Sequence, residues 1–418
     1  MTGCDALGGH GMGTDQPDLR SDVQRAAPGA VEEAGNLTAP FAAALLSQLD
    51  RETTNLVCSP LSAQIVLSMV AAGAGGSTRA QMEDVLGADV RTLGETANTL
   101  AQHLAAMGEK ERANNGSDGP EPPRASLVNA VWAADGLEPT QAFLDALATW
   151  FDTGIYTADF TDATGREAAC ERINAVVEHA TEGLITDLVA PDALTEQTVM
   201  VLVNALHLKT AWLKPLNPDE AVDFTTSDGE TVRPEMLTGE VPGWYEDEHC
   251  TASALRGTGG QLALALVRPT GEPHEVLETW AADGQRLGAV LRGIEGSADV
   301  TTTVTTPGFD IDWDGELTDP LKQLGMTEVF DPGTADLSGI STDRDLAVTM
   351  VFQKAVITVD ADGMEAAAAT AVSVGTTAYV PQETKELVLD RPFLFVAYDT
   401  ASCTPLVLGW IGDPTQTR

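Results

Sequence analysis

Residues 356–374 read Val356-Ile-Thr-Val-Asp360-Ala-Asp-Gly363-Met364-Glu365-Ala366-Ala-Ala-Ala-Thr370-Ala-Val-Ser-Val374, and the fold turns on how this run is read. Four consecutive alanines favour helix by intrinsic propensity, and an Ala-rich surface loop is the plain alternative. The alternation points elsewhere. Met364, Ala366, Ala368, Thr370, Val372 and Val374 fall on one face; Glu365, Ala367, Ala369, Ala371 and Ser373 fall on the other. One face carries no charge and the other tolerates it, which is the period-two signature of a strand with one buried side. Side chains this small would let such a strand slide between two existing strands with little steric conflict. Upstream, residues 346–359 read as a strand, followed by an acidic turn that closes on Gly363. Downstream, Gly375-Thr-Thr-Ala-Tyr379-Val-Pro381 is exposed in composition.

Working outward, helical spacing marks residues 40–50, 59–72, 78–86, 141–150 and 166–180, with Gly183 closing the last of these. Ser59-Pro60 predicts an N-cap followed by proline at the first helical position. Residues 126–132, 198–208, 261–268, 299–306 and 392–398 read as strands. Long helices come early and long strands late, which predicts an α+β protein rather than a βαβ series. Residues 1–36 are polar, Gly-rich and unpatterned, and predict a disordered N-terminal arm or tether. Residues 109–123 (EKERANNGSDGPEPP) read as a surface insertion within one domain spanning 37–416. No internal repeat is present.

Composition narrows the function. Asp and Glu number 63 against 23 Lys and Arg, a formal net charge of −40, which repels nucleic-acid backbones and anionic membranes. Solubility or salt adaptation is the ordinary reading of such a charge. No apolar run is long enough to span a bilayer. The 5 cysteines are scattered without a C-x-x-C, so neither a disulfide framework nor a zinc site is predicted, and Cys58 reads as a small buried residue. The 6 histidines form no H-E-x-x-H, and His207, in an apolar strand, reads as structural. No G-x-S-x-G occurs. Gly73-Ala-Gly-Gly-Ser-Thr78 lacks the Gly-Lys-Ser/Thr of a phosphate loop and reads as a helix–helix turn. No metal site, cofactor or catalytic residue is predicted.

The run Gly363-Met-Glu-Ala-Ala-Ala-Ala-Thr-Ala371 resembles the hinge of the mobile reactive loop of serpins, the bacterial inhibitory type included. Arg391-Pro-Phe-Leu-Phe395, Pro405-Leu-Val-Leu-Gly409 and Asp413-Pro-Thr-Gln416 resemble the family's C-terminal strands. Asn55-Leu-Val-Cys-Ser-Pro-Leu-Ser62 is similar to its early helix start. Ile173-Asn174 with Thr181, Gly183, Ile185 and Asp187-Leu188, then Leu202-Val-Asn204-Ala-Leu with Lys209 and Trp212, are similar to its central segments. Leu324-Gly-Met-Thr327, Phe330 and Leu337-Ser-Gly-Ile340 match a further stretch. Each motif alone is weak; their order and spacing over 37–416 are not.

The resemblance implies a serpin fold, with three β-sheets, about eight to nine helices and an exposed reactive-centre loop over 360–381. It implies a monomer whose partner is a serine protease, held as a covalent acyl complex, with no small-molecule cofactor. The hinge comprises Gly363, Met364, Glu365, Ala366, Ala367, Ala368, Ala369, Thr370 and Ala371, and the family usually has Thr or Ser where Met364 stands. Neither proline nor charge interrupts its inserting face. The family's loop length places the reactive bond at Thr377–Ala378, with Thr376 and Tyr379 as neighbours. An uncharged residue before the cut suits elastase-like or subtilisin-like enzymes, not a trypsin-like pocket. A non-inhibitory carrier, chaperone or structural role on the same fold is the alternative. The resemblance also gives Ser59, Ser62 and Asn204 to the polar shutter beneath the opening sheet, with Gln353 in place of the usual histidine, and Trp212 to the breach where the loop enters.

Met1-Thr-Gly-Cys4 resembles the end of a bacterial lipoprotein processing box. With a start upstream of Met1, Cys4 would be lipidated and the protein extracellular or at the cell surface; with Met1 as the native start it would be cytoplasmic.

Overall fold

In the strand Met200–Ala211, Lys209 alone is not buried. A strand covered on both faces needs mostly apolar residues, and eight of the twelve here are apolar. Leu202 and Leu206 face the main core, while Val201, Val203 and Ala205 face a second, smaller core. The computed structural model describes residues 16–108, 123–190, 192–219, 222–342, 346–364 and 384–418.

Nine α-helices occur among these residues: α1 (Ala34–Ser47), α2 (Pro60–Ala71), α3 (Gly76–Leu86), α4 (Val90–Ala105), α5 (Gln141–Ala146), α6 (Ala163–Ala180), α7 (Pro273–Ala282), α8 (Arg286–Gly296) and α9 (Thr318–Gln323). A π-helical turn, Leu147–Phe151, extends α5. The strands are β1 (Asn55–Cys58), β2 (Arg124–Ala134), β3 (Ile155–Ala158), β4 (Met200–Ala211), β5 (Asn217–Asp219), β6 (Phe224–Thr225), β7 (Thr231–Val232), β8 (Met236–Pro242), β9 (Tyr245–Glu246), β10 (Cys250–Arg256), β11 (Leu262–Pro269), β12 (Thr301–Pro307), β13 (Phe309–Glu316), β14 (Met350–Val359), β15 (Gly363–Met364), β16 (Thr384–Val388), β17 (Phe393–Asp399) and β18 (Thr404–Ile411). Three sheets organise them. The central one runs β13-β14-β15-β4-β2-β3, a second runs β1-β18-β17-β11-β10-β9, and a third runs β16-β12-β8-β5; β6 and β7 form a small ribbon. This is the expected α+β architecture.

The wholly buried helix α2 lies in the main core, and α6 covers the opposite face of the central sheet. Under α6, Trp132 stacks on Tyr156 at 4.7 Å, and the Arg172 guanidinium sits 5.1 Å from the Trp132 ring. Gly183, at φ +85°, follows α6 and donates its N–H to Glu178 O at 2.8 Å. Of the Gly73–Thr78 run, residues 73–75 lie in the expected turn between α2 and α3, and Gly76 begins α3.

Three expectations are corrected. First, residues 16–33 are not a disordered arm. Leu19 and Ile155 exchange backbone hydrogen bonds at 3.0 and 2.9 Å, extending the central sheet past its edge strand β3. Arg172 holds the Asp18 carboxylate at 3.0 Å, Arg25 donates to Asn98 Oδ1 at 2.8 Å, and Ser21 donates to Asp145 Oδ1 at 2.6 Å. Polar composition misleads here because these polar groups have distant partners. Residues 1–15, Cys4 among them, lie outside the described residues. Second, α1 begins at Ala34, with Pro40 inside it rather than at its start. Third, Ser59 does not cap α2 with its side chain; its hydroxyl donates instead to Leu406 O on β18 at 3.0 Å. Pro60 does occupy the first helical turn.

Candidate functional site

The site lies where the central sheet changes its pairing. At one end, β14 and β4 are direct parallel neighbours, from Met350 opposite Val201 to Ala355 opposite Leu206. At the other end they part, and Gly363–Met364 lies between them. Met364 pairs antiparallel with Val359 on one side and with Thr210 on the other. Its side chain is 1% exposed and belongs to the main core, on the face that its alternation predicts. Gly363 is fixed by proximity: a Cβ there would stand 2.5 Å from Thr210 O and 3.1 Å from Ala211 Cα.

The acidic turn before Gly363 is held from within and from outside. The Asp360 carboxylate accepts the N–H groups of Asp362 and Gly363 at 2.8 and 2.9 Å, and the Asp360 N–H donates to Gly363 O at 3.0 Å. Trp212, buried at the end of β4, donates its indole N–H to Asp360 O at 2.9 Å and its backbone N–H to Asp362 O at 2.8 Å. Leu216 N–H reaches Ala361 O at 2.8 Å. Trp212 therefore stands at the point where the chain turns into the sheet, and its role there is to hold that turn.

The parallel end is closed by a buried polar group. Gln353, on β14, is 0% exposed. Its Nε2 donates to Ser59 O at 2.8 Å and to Asn204 Oδ1 at 2.7 Å. Its Oε1 accepts from Ser59 N–H at 3.0 Å and from Cys58 Sγ at 2.9 Å. An amide has two donors and two acceptor sites, and all four are used. The backbone donor Ser59 N–H and acceptor Ser59 O fix which way the amide points. Asn204 Nδ2 donates to Phe352 O at 3.0 Å, tying β4 back to β14. Ser62 Oγ donates to Asn129 Oδ1 on β2 at 3.1 Å. The four shutter residues expected from sequence thus lie together, joined through α2, β2, β4, β14 and β18. Asn129 and Asp360 were not singled out by sequence, and Cys58 only as a small buried residue; the spacing of an asparagine within an apolar strand carries no sign of its partner. Burial drives the Cys58 thiol far above the ordinary thiol range. Buried His207 is held below the usual histidine pKa by desolvation.

Glu365 to Ala371, and the bond region Thr376, Thr377, Ala378 and Tyr379, lie outside the described residues, as do 109–122. The chain is described again from β16, which pairs parallel with β12 at the edge of the third sheet.

The site is thus a sheet parted at one end by a glycine-led strand and latched at the other by buried amides. Comparisons with known proteins give its family. The family model "Serpin (serine protease inhibitor)" matches residues 36–414. A serine protease inhibitor of Cyanea capillata is 30% identical over 369 residues, covering 86% of this chain and 92% of its own. The thermophilic serpin tengpin, solved in its native state, has a TM-score of 0.78 and 25% identity, covering 93% of this chain and 97% of its own. Human thyroxine-binding globulin has a TM-score of 0.74 at 24% identity, covering 92% of this chain and 100% of its own. The chain belongs to the serpin family. Members of that family are mostly protease inhibitors rather than enzymes, and thyroxine-binding globulin, a ligand carrier by name, shows that the fold does not by itself make an inhibitor.

Proposed function

We propose that this serpin is an inhibitory one, a suicide substrate of serine proteases. The observation that carries the reading is the seating of Gly363–Met364 between β14 and β4, at the mouth of a sheet whose strands separate there. A protease attacks the loop and forms its acyl-enzyme. The freed segment after Met364 then continues the strand already begun and carries the acylated protease with it. An inserted segment of about a dozen residues gains on the order of 10 net hydrogen bonds at about 1 kcal/mol each, comparable to the stability of a whole domain. The chemistry is the protease's own.

The reactive bond is placed at Thr377–Ala378, with Thr376–Thr377 and Ala378–Tyr379 adjoining. Small uncharged residues at these positions fit elastase-like or subtilisin-like specificity. Incubation with subtilisin or an elastase is expected to give a complex that survives SDS, with a released peptide whose mass starts it at Ala378. Turnover of the loop with no stable complex is the result of a non-inhibitory serpin and would overturn the reading.

A further inference from the structure

On the face of β4 that looks toward α6, the apolar pattern breaks at a buried position. Val201, Val203 and Ala205 belong to the smaller core, and the next residue on that face is His207, 2% exposed. To one side lies β2, with Ser126 opposite His207 and Arg124 opposite Lys209. To the other side, among the described residues, no strand pairs with β4 at this level. The ladder with β14 ends at Leu206, and pairing resumes at Thr210, opposite Met364. The turn that leaves α6 comes down on this corner, where Arg124 donates to the Glu182 carboxylate. Glu182 stands at φ +54°, a left-handed conformation that is costly for a residue with a side chain.

The charges around the imidazole are unequal. Lys209 stands two residues on along the same face, Arg124 faces the ring from β2, and Glu182 faces it from the α6 turn. His179, in the last turn of α6, lines the same groove as Arg124 and Glu182. The one charge of β14 on this face is Lys354, opposite Ala205 and ion-paired with Asp312 at 3.7 Å.

We infer that His207 is an acid-sensitive latch: its neutral ring lets the exit turn of α6 close on β2 and β4, and its protonated ring drives that turn off. A buried imidazolium beside Lys209 and Arg124 lacks a solvent shell, and the carboxylate facing it is already bound to Arg124. Hydrating the ring requires something to move. The strands are held by ladders, whereas the turn is tied by the Arg124–Glu182 pair, whose side chains are 41% and 51% exposed. Such a pair holds weakly, and the strained backbone at Glu182 favours release. Burial keeps the His207 pKa below its ordinary value; Glu182 opposes this, while Lys209 and Arg124 reinforce it. The unfolded chain therefore binds the extra proton below about pH 6.5, and stability is lost as pH falls through that value. The latch needs no protease, and it stands or falls apart from the inhibitory reading.

Urea unfolding of the parent and of His207→Phe, compared between pH 7.5 and pH 5.5, isolates the ring, because every other titrating group is common to both. The parent's folding equilibrium constant is expected to fall by about tenfold relative to the variant's, the limit set by protonating a group of pKa about 6.5 in the unfolded chain alone. Parallel profiles would overturn the role of His207. Amide hydrogen exchange of the folded parent at the same pH values, corrected for intrinsic rates, locates the opening and requires no variant. Acid is expected to increase the opening of residues 181–185 and 207–209 several-fold more than that of β10 and β11. A uniform increase, or none, would overturn the latch.

Discussion

At Gly363 the missing side chain is what lets the strand begin. A Cβ would stand 2.5 Å from Thr210 O, a backbone atom that cannot move without disturbing β4. Gly363→Val is therefore expected to unseat the Met364 pair and shift the reaction from trapping to turnover, read as a several-fold rise in the inhibitor needed per protease titrated. Gln353 makes the opposite demand, since every polar atom it has is used in a dry place. Gln353→Leu would strand Ser59 O, Ser59 N–H and Asn204 Oδ1, and an uncut-form destabilisation of about 2–4 kcal/mol by denaturant titration is expected. Gln353 also replaces a group that titrates near neutrality with one that does not.

Elements differ in how much of them the sequence discloses. The first position of the hinge's alternation is legible because it is local: Met364, on the apolar face, is buried, while the positions after it lie outside the described residues. The arm at 16–33 is illegible for the converse reason: Asp18 with Arg172, Ser21 with Asp145 and Arg25 with Asn98 meet across large sequence separations that leave no periodicity. The same holds for Ser59, whose pattern with Pro60 announces a cap while its hydroxyl answers a β18 carbonyl. Such ties carry pH dependence as well. In the last turn of α4, His103 Nε2 lies 2.8 Å from Oδ1 of the fully buried Asp399 on β17. That hydrogen bond raises the His103 pKa above its usual value, against desolvation, with Glu32 assisting. A raised folded-state pKa contributes stability fully below the unfolded value, near 6.5, and loses it as pH rises through the folded value. The melting temperature of the parent should fall, relative to that of His103→Gln, from pH 6 towards pH 8; parallel profiles would show that the pair contributes nothing.

For the whole molecule, a net charge of −40 sets two expectations. Self-repulsion weakens the compact state, so the melting temperature should rise when sodium chloride is added. The same field steers cationic partners, so association with a positively charged protease should slow by about tenfold from low to high salt, and stopped-flow traces with an anionic protease should show no such slowing. The molecule as a whole is also two sheet fragments in one. The arm and α6 sit on the β2–β3–β4 side, while β13 and β14 form the other, and the direct ladder from Met350 to Ala355 is where they still touch.

Cys58 lies under that ladder, wholly buried, its thiol donating to the Gln353 amide. No reagent reaches it while the latch is shut, and its raised pKa keeps it protonated and inert. Parting the strands removes its acceptor from place and unroofs it. On the inhibitory reading the molecule contains its own stopwatch: with Cys4, Cys170, Cys250 and Cys403 each changed to Ser, the moment at which a thiol-reactive dye first labels Cys58 after protease is added dates the passage of the strand through the base of the sheet.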